Sequence, residues 1–159
     1  MNLKQTIIGT GIVGGLIAGV TYLFRLKRTS AELETVNRIS IHKLDFKGLV
    51  VRIDVQLKNP TKTKFKIKFP FVKLLYKDVT IGSSKVVDKE IEIPAFGEAV
   101  AEKIMIEVPI LSIFSAGAGM IKSLLNAETV KLKSKTISTI DLGWKKIPYD
   151  KTEELTIKK

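Results

Sequence analysis

The chain contains no cysteine and one histidine among its 159 residues. Without thiols, disulfides, thiolate metal sites and cysteine nucleophiles are excluded together. With His42 alone, no His–His metal pair can form, nor can a triad built from His and Cys. His42 is read as an exposed or half-buried strand residue. No Gly-x-Ser-x-Gly elbow occurs. The glycines of GTGIVGG (9–15) are not followed by Lys-Ser/Thr and sit in an apolar context, so they are no phosphate loop. Acidic residues alternate with lysine, as in DKEIE (88–92), and Glu90 and Glu92 read as a solvated strand face, not a catalytic pair. The sequence therefore predicts no catalytic residue, no cofactor and no metal site. Arginine is also scarce, limited to Arg25, Arg28, Arg38 and Arg52 among 27 cationic residues, while net charge is +11. Lysine is a strongly hydrated point charge and arginine the better reader of bases, so this balance suits an anionic surface and not sequence-specific nucleic-acid recognition.

Charge is absent from the twenty residues between Lys4 and Arg25, QTIIGTGIVGGLIAGVTYLF. About 20 helical residues cross a hydrocarbon core roughly 30 Å thick. Tyr22 lies near one end, where interfacial aromatics belong, and Arg25, Lys27 and Arg28 follow at the phosphate level. Gly11, Gly15 and Gly19 repeat every fourth residue and share one helix face, the spacing that lets two membrane helices approach. In water the five glycines of this run would each cost about 1 kcal/mol relative to Ala. RLKRTSAELE offers no A-x-A-like cleavage site, and no Cys is present for a lipid anchor. The expectation is a single-pass transmembrane helix with basic flank over 1–28, then a stalk over 29–35. Self-association through the glycine face is a candidate interaction. Three basic residues after the helix against Lys4 before it place the body on the cytoplasmic side by the positive-inside rule.

The remaining 130 or so residues suffice for one domain with a core. Leu49, Val51, Ile53, Val55 and Leu57 alternate with Val50, Arg52, Asp54, Gln56 and Lys58, the period of a strand with one buried face. Asn59-Pro60 stops it. A second alternation sets Lys62, Lys64, Lys66 and Lys68 against Thr63, Phe65, Ile67 and Phe69, until Pro70. Strand-like segments continue at 71–77, 79–82, 89–93 and 101–108, with two or three more between Thr129 and Ile157. After Pro109, Ile110, Ile113, Phe114, Gly117, Met120, Ile121, Leu124 and Leu125 fall at helical spacing. Gly117 and Gly119 weaken this run, predicting a kinked helix or a short loop before a helix at 118–126. It is too short to cross a bilayer.

VRIDVQLKNP (51–60), FPFVKLLYKDVTIGSS (69–84) and IPAFGEAVAEKIMIEVPI (93–110) together resemble the LEA14-type domain (late embryogenesis abundant group 2, or water-stress and hypersensitive response) over residues 36–145. The resemblance implies an immunoglobulin-like seven-stranded β-sandwich with one short helix, here over 36–150, before a basic tail at 151–159. It also implies a frequent N-terminal spanning helix and no shared catalytic site. Thr61-Lys62-Thr63-Lys64 departs from the family's pattern of further Asn and Pro around this turn.

Four lysines on one strand face would stand roughly 7 Å apart and repel. Lys62, Lys64, Lys66 and Lys68 suit contact with anionic headgroups, non-specific contact with nucleic-acid phosphates, or an edge strand shielded from aggregation by charge. Phe65 and Phe69 should face the core, so no base-stacking platform is indicated. The expected function is that of a non-catalytic, membrane-anchored binding or scaffold protein. Its expected partners are a lipid bilayer, a second copy through the helix, and assembly proteins. The alternatives are a structural component of a multi-copy assembly, such as a phage virion or envelope complex, or a desiccation-protective protein.

Overall fold

Most of the period-two alternation resolves into paired strands. The computed structural model describes residues 33–126 and 128–157. The expected membrane helix, with Gly11, Gly15, Gly19, Arg25, Lys27 and Arg28, lies outside them. Among the described residues no helix is long and apolar enough to cross a membrane.

Nine strands form among the described residues: β1 (Glu34–Asp45), β2 (Gly48–Lys58), β3 (Phe65–Lys68), β4 (Phe71–Tyr76), β5 (Val79–Ser83), β6 (Glu90–Ile93), β7 (Glu98–Pro109), β8 (Val130–Asp141) and β9 (Lys146–Ile157). Two short helices, α1 (Ile110–Ala116) and α2 (Ala118–Leu125), connect β7 to β8. Among the described residues the expected seven strands and one helix are corrected to nine strands and two helices. The helix breaks at Gly117, whose φ of +119° an L side chain rarely adopts. Pro109 stands just before the first helical residue instead of inside the first turn.

All pairing is antiparallel and follows one path, β1-β2-β7-β5-β4-β8-β3-β6, with β9 on the other side of β8. A single register pair, Ser83 with Glu107, joins β5 to β7. Buried residues from the strands on both sides of that junction belong to one core. Val51, Ile53, Val55 and Leu57 of β2 are wholly buried, as are Ile67, Val72, Leu74, Ile93, Ile106 and Ile140 from the other strands. Fully burying such side chains contributes about 1.5–3 kcal/mol each, which beats the entropy of ordering them.

Two irregularities shape the first layer. β7 sets two residues, Glu102 and Lys103, opposite the single Asp54 of β2, one more than the ladder needs, and Lys103 takes φ +58°. The Asp54 carboxylate accepts the Lys103 N–H at 2.7 Å and a two-pronged contact from Arg52 at 3.0 and 3.1 Å. Burial raises the Asp54 pKa, but these donors outweigh it and hold the carboxyl below its ordinary value. At the β1–β2 turn, Gly48 has φ +144°, and a Cβ there would lie 2.2 Å from the Val108 carbonyl oxygen.

β1 starts at Glu34 and Leu33 is already buried, so residues read as the end of a stalk are strand. Lys151–Ile157, read as a tail, pair with β8 from Thr136 to Val130. The lysine strand is shorter than the alternation suggested, because only Lys66 and Lys68 lie in β3. They stand opposite Glu92 and Glu90 of β6, so the expected repulsive ladder is relieved by acidic partners.

Candidate functional site

Asn59 is 2% exposed and ties two loops together. Its side-chain nitrogen donates to the carbonyls of Thr63 and Pro94, both at 2.9 Å. Its side-chain oxygen accepts from the Thr61 N–H at 2.9 Å and the Thr61 hydroxyl at 2.7 Å. The backbone adds Asn59 N–H to Gly97 O at 2.9 Å and Phe96 N–H to Thr61 O at 3.0 Å. Asn suits this position because only a side-chain amide presents both donors and an acceptor in one plane. The result is a fixed 59–64 loop beside a fixed 94–97 loop.

Phe96 occupies the tip of the second loop with φ +51° and 68% of its surface exposed. A bulky residue in the left-handed region is strained, and Gly or Asn would serve the turn better. A third loop, 142–145, closes the β8–β9 hairpin through Leu142 N–H to Lys145 O at 3.0 Å and Gly143 N–H to the Asp141 carboxylate at 2.7 Å. It carries Trp144, the only tryptophan of the chain, 58% exposed.

These three loops lie at one end of the molecule. Glu34 and Glu98 both stand opposite Lys58, next to Asn59. Lys66 stands opposite Glu92 on one side and Asp141 on the other, which brings the β8–β9 hairpin to the same end. The start of β1 is there too. Tyr149, buried at the root of that hairpin, points its hydroxyl at Thr35 Oγ1 (3.2 Å) and the Leu33 carbonyl (3.4 Å). Burial pushes the Tyr149 hydroxyl above the ordinary tyrosine pKa, against the opposing effects of Thr35 and Lys151.

Together the loops 59–64, 94–97 and 142–145 carry Lys62, Lys64, Lys145, Phe96 and Trp144, and not one Asp or Glu. Of the lysines singled out by the alternation, the structure brings Lys62 and Lys64 to this end as exposed loop residues. Lys66 is exposed on β3 and Lys68 is half-buried beside Asp88, at 2.8 Å. Lys64 reaches Glu92 at 4.0 Å, and Lys62 makes no ion pair among the described residues. The sequence reasoning missed Phe96, Trp144 and Asn59 as site residues. The available signal was an aromatic at the centre of each Gly-containing turn, AFG and GWK.

The opposite end differs. Phe46, at the tip of the β1–β2 turn, is 83% exposed, and Leu111, Phe114 and Leu125 of the helices are also exposed. Leu44, Phe46, Ile110, Ile121 and Leu125 line a cleft of ≈ 380 Å³. Acidic residues Asp45, Asp78 and Glu128 accompany the lysines there. Among the described residues no three acidic or histidine side chains cluster to hold a metal.

No family's sequence profile matches the chain, and no curated protein matches it. Solved structures do. The fold is similar to the crystal structure of a protein from Archaeoglobus fulgidus, with TM-score 0.53 and 9% identity over 80% of this chain and 97% of that one. It is likewise similar to the solution structure of AT1g01470 from Arabidopsis thaliana, with TM-score 0.55 and 14% identity over 80% and 81% of the two chains. A solution structure described provisionally as a late embryogenesis abundant protein, At2g46140.1, aligns over 96% of this chain and 87% of that one at 14% identity. Its TM-score of 0.38 carries no weight here. At such identities the likeness shows a shared fold and leaves activity to be argued from the site.

Proposed function

We propose that the chain is a non-catalytic binding or scaffold protein that holds an LEA14-like β-domain beside a membrane. The observation that carries this is the placement of the β1 start. The described body begins at Leu33, at the end that displays the acid-free loops, and the uncharged run of residues 5–24 precedes it in sequence. In sequence, Arg25, Lys27 and Arg28 follow the uncharged run and precede a body whose near end is basic and aromatic, an order suited to an anionic headgroup layer.

Alkaline extraction and flotation with liposomes test it, comparing the full chain with one beginning at Thr29. The full chain should float and resist extraction, and the shortened chain should lose extraction resistance. A full chain that stays out of the membrane would remove the anchor. Leucine at both Gly11 and Gly15 should weaken any oligomer seen in detergent; an unchanged oligomer would exclude packing through that face.

A second reading, a component of a multi-copy assembly such as a virion or envelope complex, is favoured by the exposed Phe46, Leu111, Phe114 and Leu125 at the far end. It is ruled out if the purified protein remains monomeric and no assembly containing it can be isolated. A dehydration-protective role rests on the sequence resemblance alone.

A further inference from the structure

We infer that the three-loop end of the β-domain is itself a lipid contact, with Trp144 and Phe96 seated in the headgroup layer of an anionic bilayer. This rests on the proposed membrane tether and adds a defined face and defined residues to it.

Four observations converge. The loops come from three separate parts of the chain, yet none contains a carboxylate, whereas six of the nine described strands carry Asp or Glu. Their two large exposed side chains are aromatic, the type that gains most at the water–hydrocarbon boundary, where an apolar ring and a polar edge are both satisfied. Phe96 keeps a left-handed backbone that Gly or Asn would adopt with less strain, a cost that packing does not explain because the ring is mostly in solvent. The turn is nevertheless rigid, pinned by Asn59 through Thr61, Thr63 and Pro94. A rigid loop holding an exposed ring loses little entropy on inserting it.

The surrounding charge is consistent with this. The acidic residues flanking the loops are mostly engaged: Glu92 with Lys64 at 4.0 Å, Asp141 with Lys146 at 3.8 Å, and Glu98 with the Gln56 amide at 2.7 Å. Glu34 at the start of β1 and Glu90 of β6 stand exposed nearby without an ion pair among the described residues. Lys62 and Lys145 project from loop tips without an ion pair among the described residues, free to meet phosphate or carboxylate headgroups. Lysine's hydrated point charge serves a fluid array of anions without needing the fixed geometry that arginine supplies. The opposite end mixes acids among its apolar residues and lies a full twelve-residue strand away, so one bilayer cannot engage both ends of an upright domain.

The single tryptophan makes the test direct. The full chain is reconstituted in vesicles of phosphatidylcholine, with or without phosphatidylserine, whose acyl chains are brominated. Flotation reports the tether, and Trp144 fluorescence reports the face. With phosphatidylserine, Trp144 should shift to the blue, be quenched by bromine and be shielded from aqueous iodide. Trp144→Phe combined with Phe46→Trp moves the reporter to the far end, where quenching should vanish. Lys62→Glu, Lys64→Glu and Lys145→Glu together should relieve quenching of Trp144 while flotation persists, each lysine being worth about fivefold in surface affinity.

A chain that floats while Trp144 stays open to iodide overturns the inference and leaves the tether standing. A chain that fails to float removes the tether; a blue shift on adding anionic vesicles would still support the loop contact, and none would overturn it. A shift produced by single-stranded DNA but not by vesicles would also overturn it, in favour of a nucleic-acid surface.

Discussion

At the residue scale, Asn59 and Phe96 make opposite contributions to the same pair of loops. Asn59→Ala removes the amide donor from the carbonyls of Thr63 and Pro94, which keep only the Thr61 hydroxyl and the Gly97 N–H respectively, and takes the acceptor from the Thr61 N–H. The expected loss is about 2–3 kcal/mol, read as a lower urea midpoint at unchanged slope. Asn59→Asp should cost a similar amount, because a carboxylate keeps the acceptor and loses both donors. Phe96→Asn should act in the other direction, stabilising the fold by about 1 kcal/mol by relieving the left-handed strain at φ +51°. It should at the same time weaken association with anionic vesicles. If Phe96→Asn destabilised the fold, the ring would be there for packing and the strain would need another explanation. Asp54 gives the acid-side counterpart. Its folded pKa lies below its unfolded value of about 3.9, so its contribution is present above that pH and lost as pH falls through the folded value. Asp54→Asn should flatten that part of the acid unfolding curve and loosen the Lys103 bulge.

At the element scale, β1 matters because it is an edge strand that joins the body to whatever precedes it. Its first turn is fastened through Thr35 and Leu33 to the Tyr149 hydroxyl of β9. Tyr149→Phe should cost about 1 kcal/mol at neutral pH. The pH dependence has a definite sign. Unfolded tyrosine releases its proton near pH 10, whereas the buried hydroxyl holds its own to higher pH, so stability declines as pH rises above about 10. The wild type should show a steeper fall than Tyr149→Phe over that range, lysine titration being common to both. β1 was also the strand least legible in the sequence. Only Thr35 of its twelve residues is buried, and its inward positions begin with the polar Thr35 and Asn37, so the apolar alternation is confined to Ile39 and Ile41. β2 was legible for the opposite reason, since every second residue from Leu49 to Leu57 meets the core. The lysine alternation continued in letters past the point where it continued in structure: Thr61 and Thr63 bond to Asn59 and turn the chain before β3 begins. The helix break was legible because Gly117 interrupts a helical spacing. The aromatic pair was not, since two rings in turns 48 residues apart have no period, and only the topology brings them to one end.

At the scale of the whole molecule, the domain has two unlike ends joined by long strands. β1 runs from the loop end at Glu34 to the helical end at Asp45, and twelve residues at roughly 3.3 Å each separate them by about 40 Å. If the three loops rest on a bilayer, the helices and Phe46 are carried well beyond the headgroups and beyond the Debye length of about 8 Å at physiological salt. The anchored end would then orient the domain, and the apolar end would be free for proteins. The absence of native cysteine makes this geometry measurable with single introduced thiols. Lys145→Cys at the loop end should react with a membrane-impermeant maleimide several-fold more slowly on anionic vesicles than in detergent. Lys47→Cys at the far end should react at the same rate in both. Equal protection of the two positions would mean that the domain lies on its side, with a sheet face against the lipid. Protection of Lys47→Cys alone would invert the molecule and make the apolar helices, instead of the aromatic loops, the surface that meets the membrane.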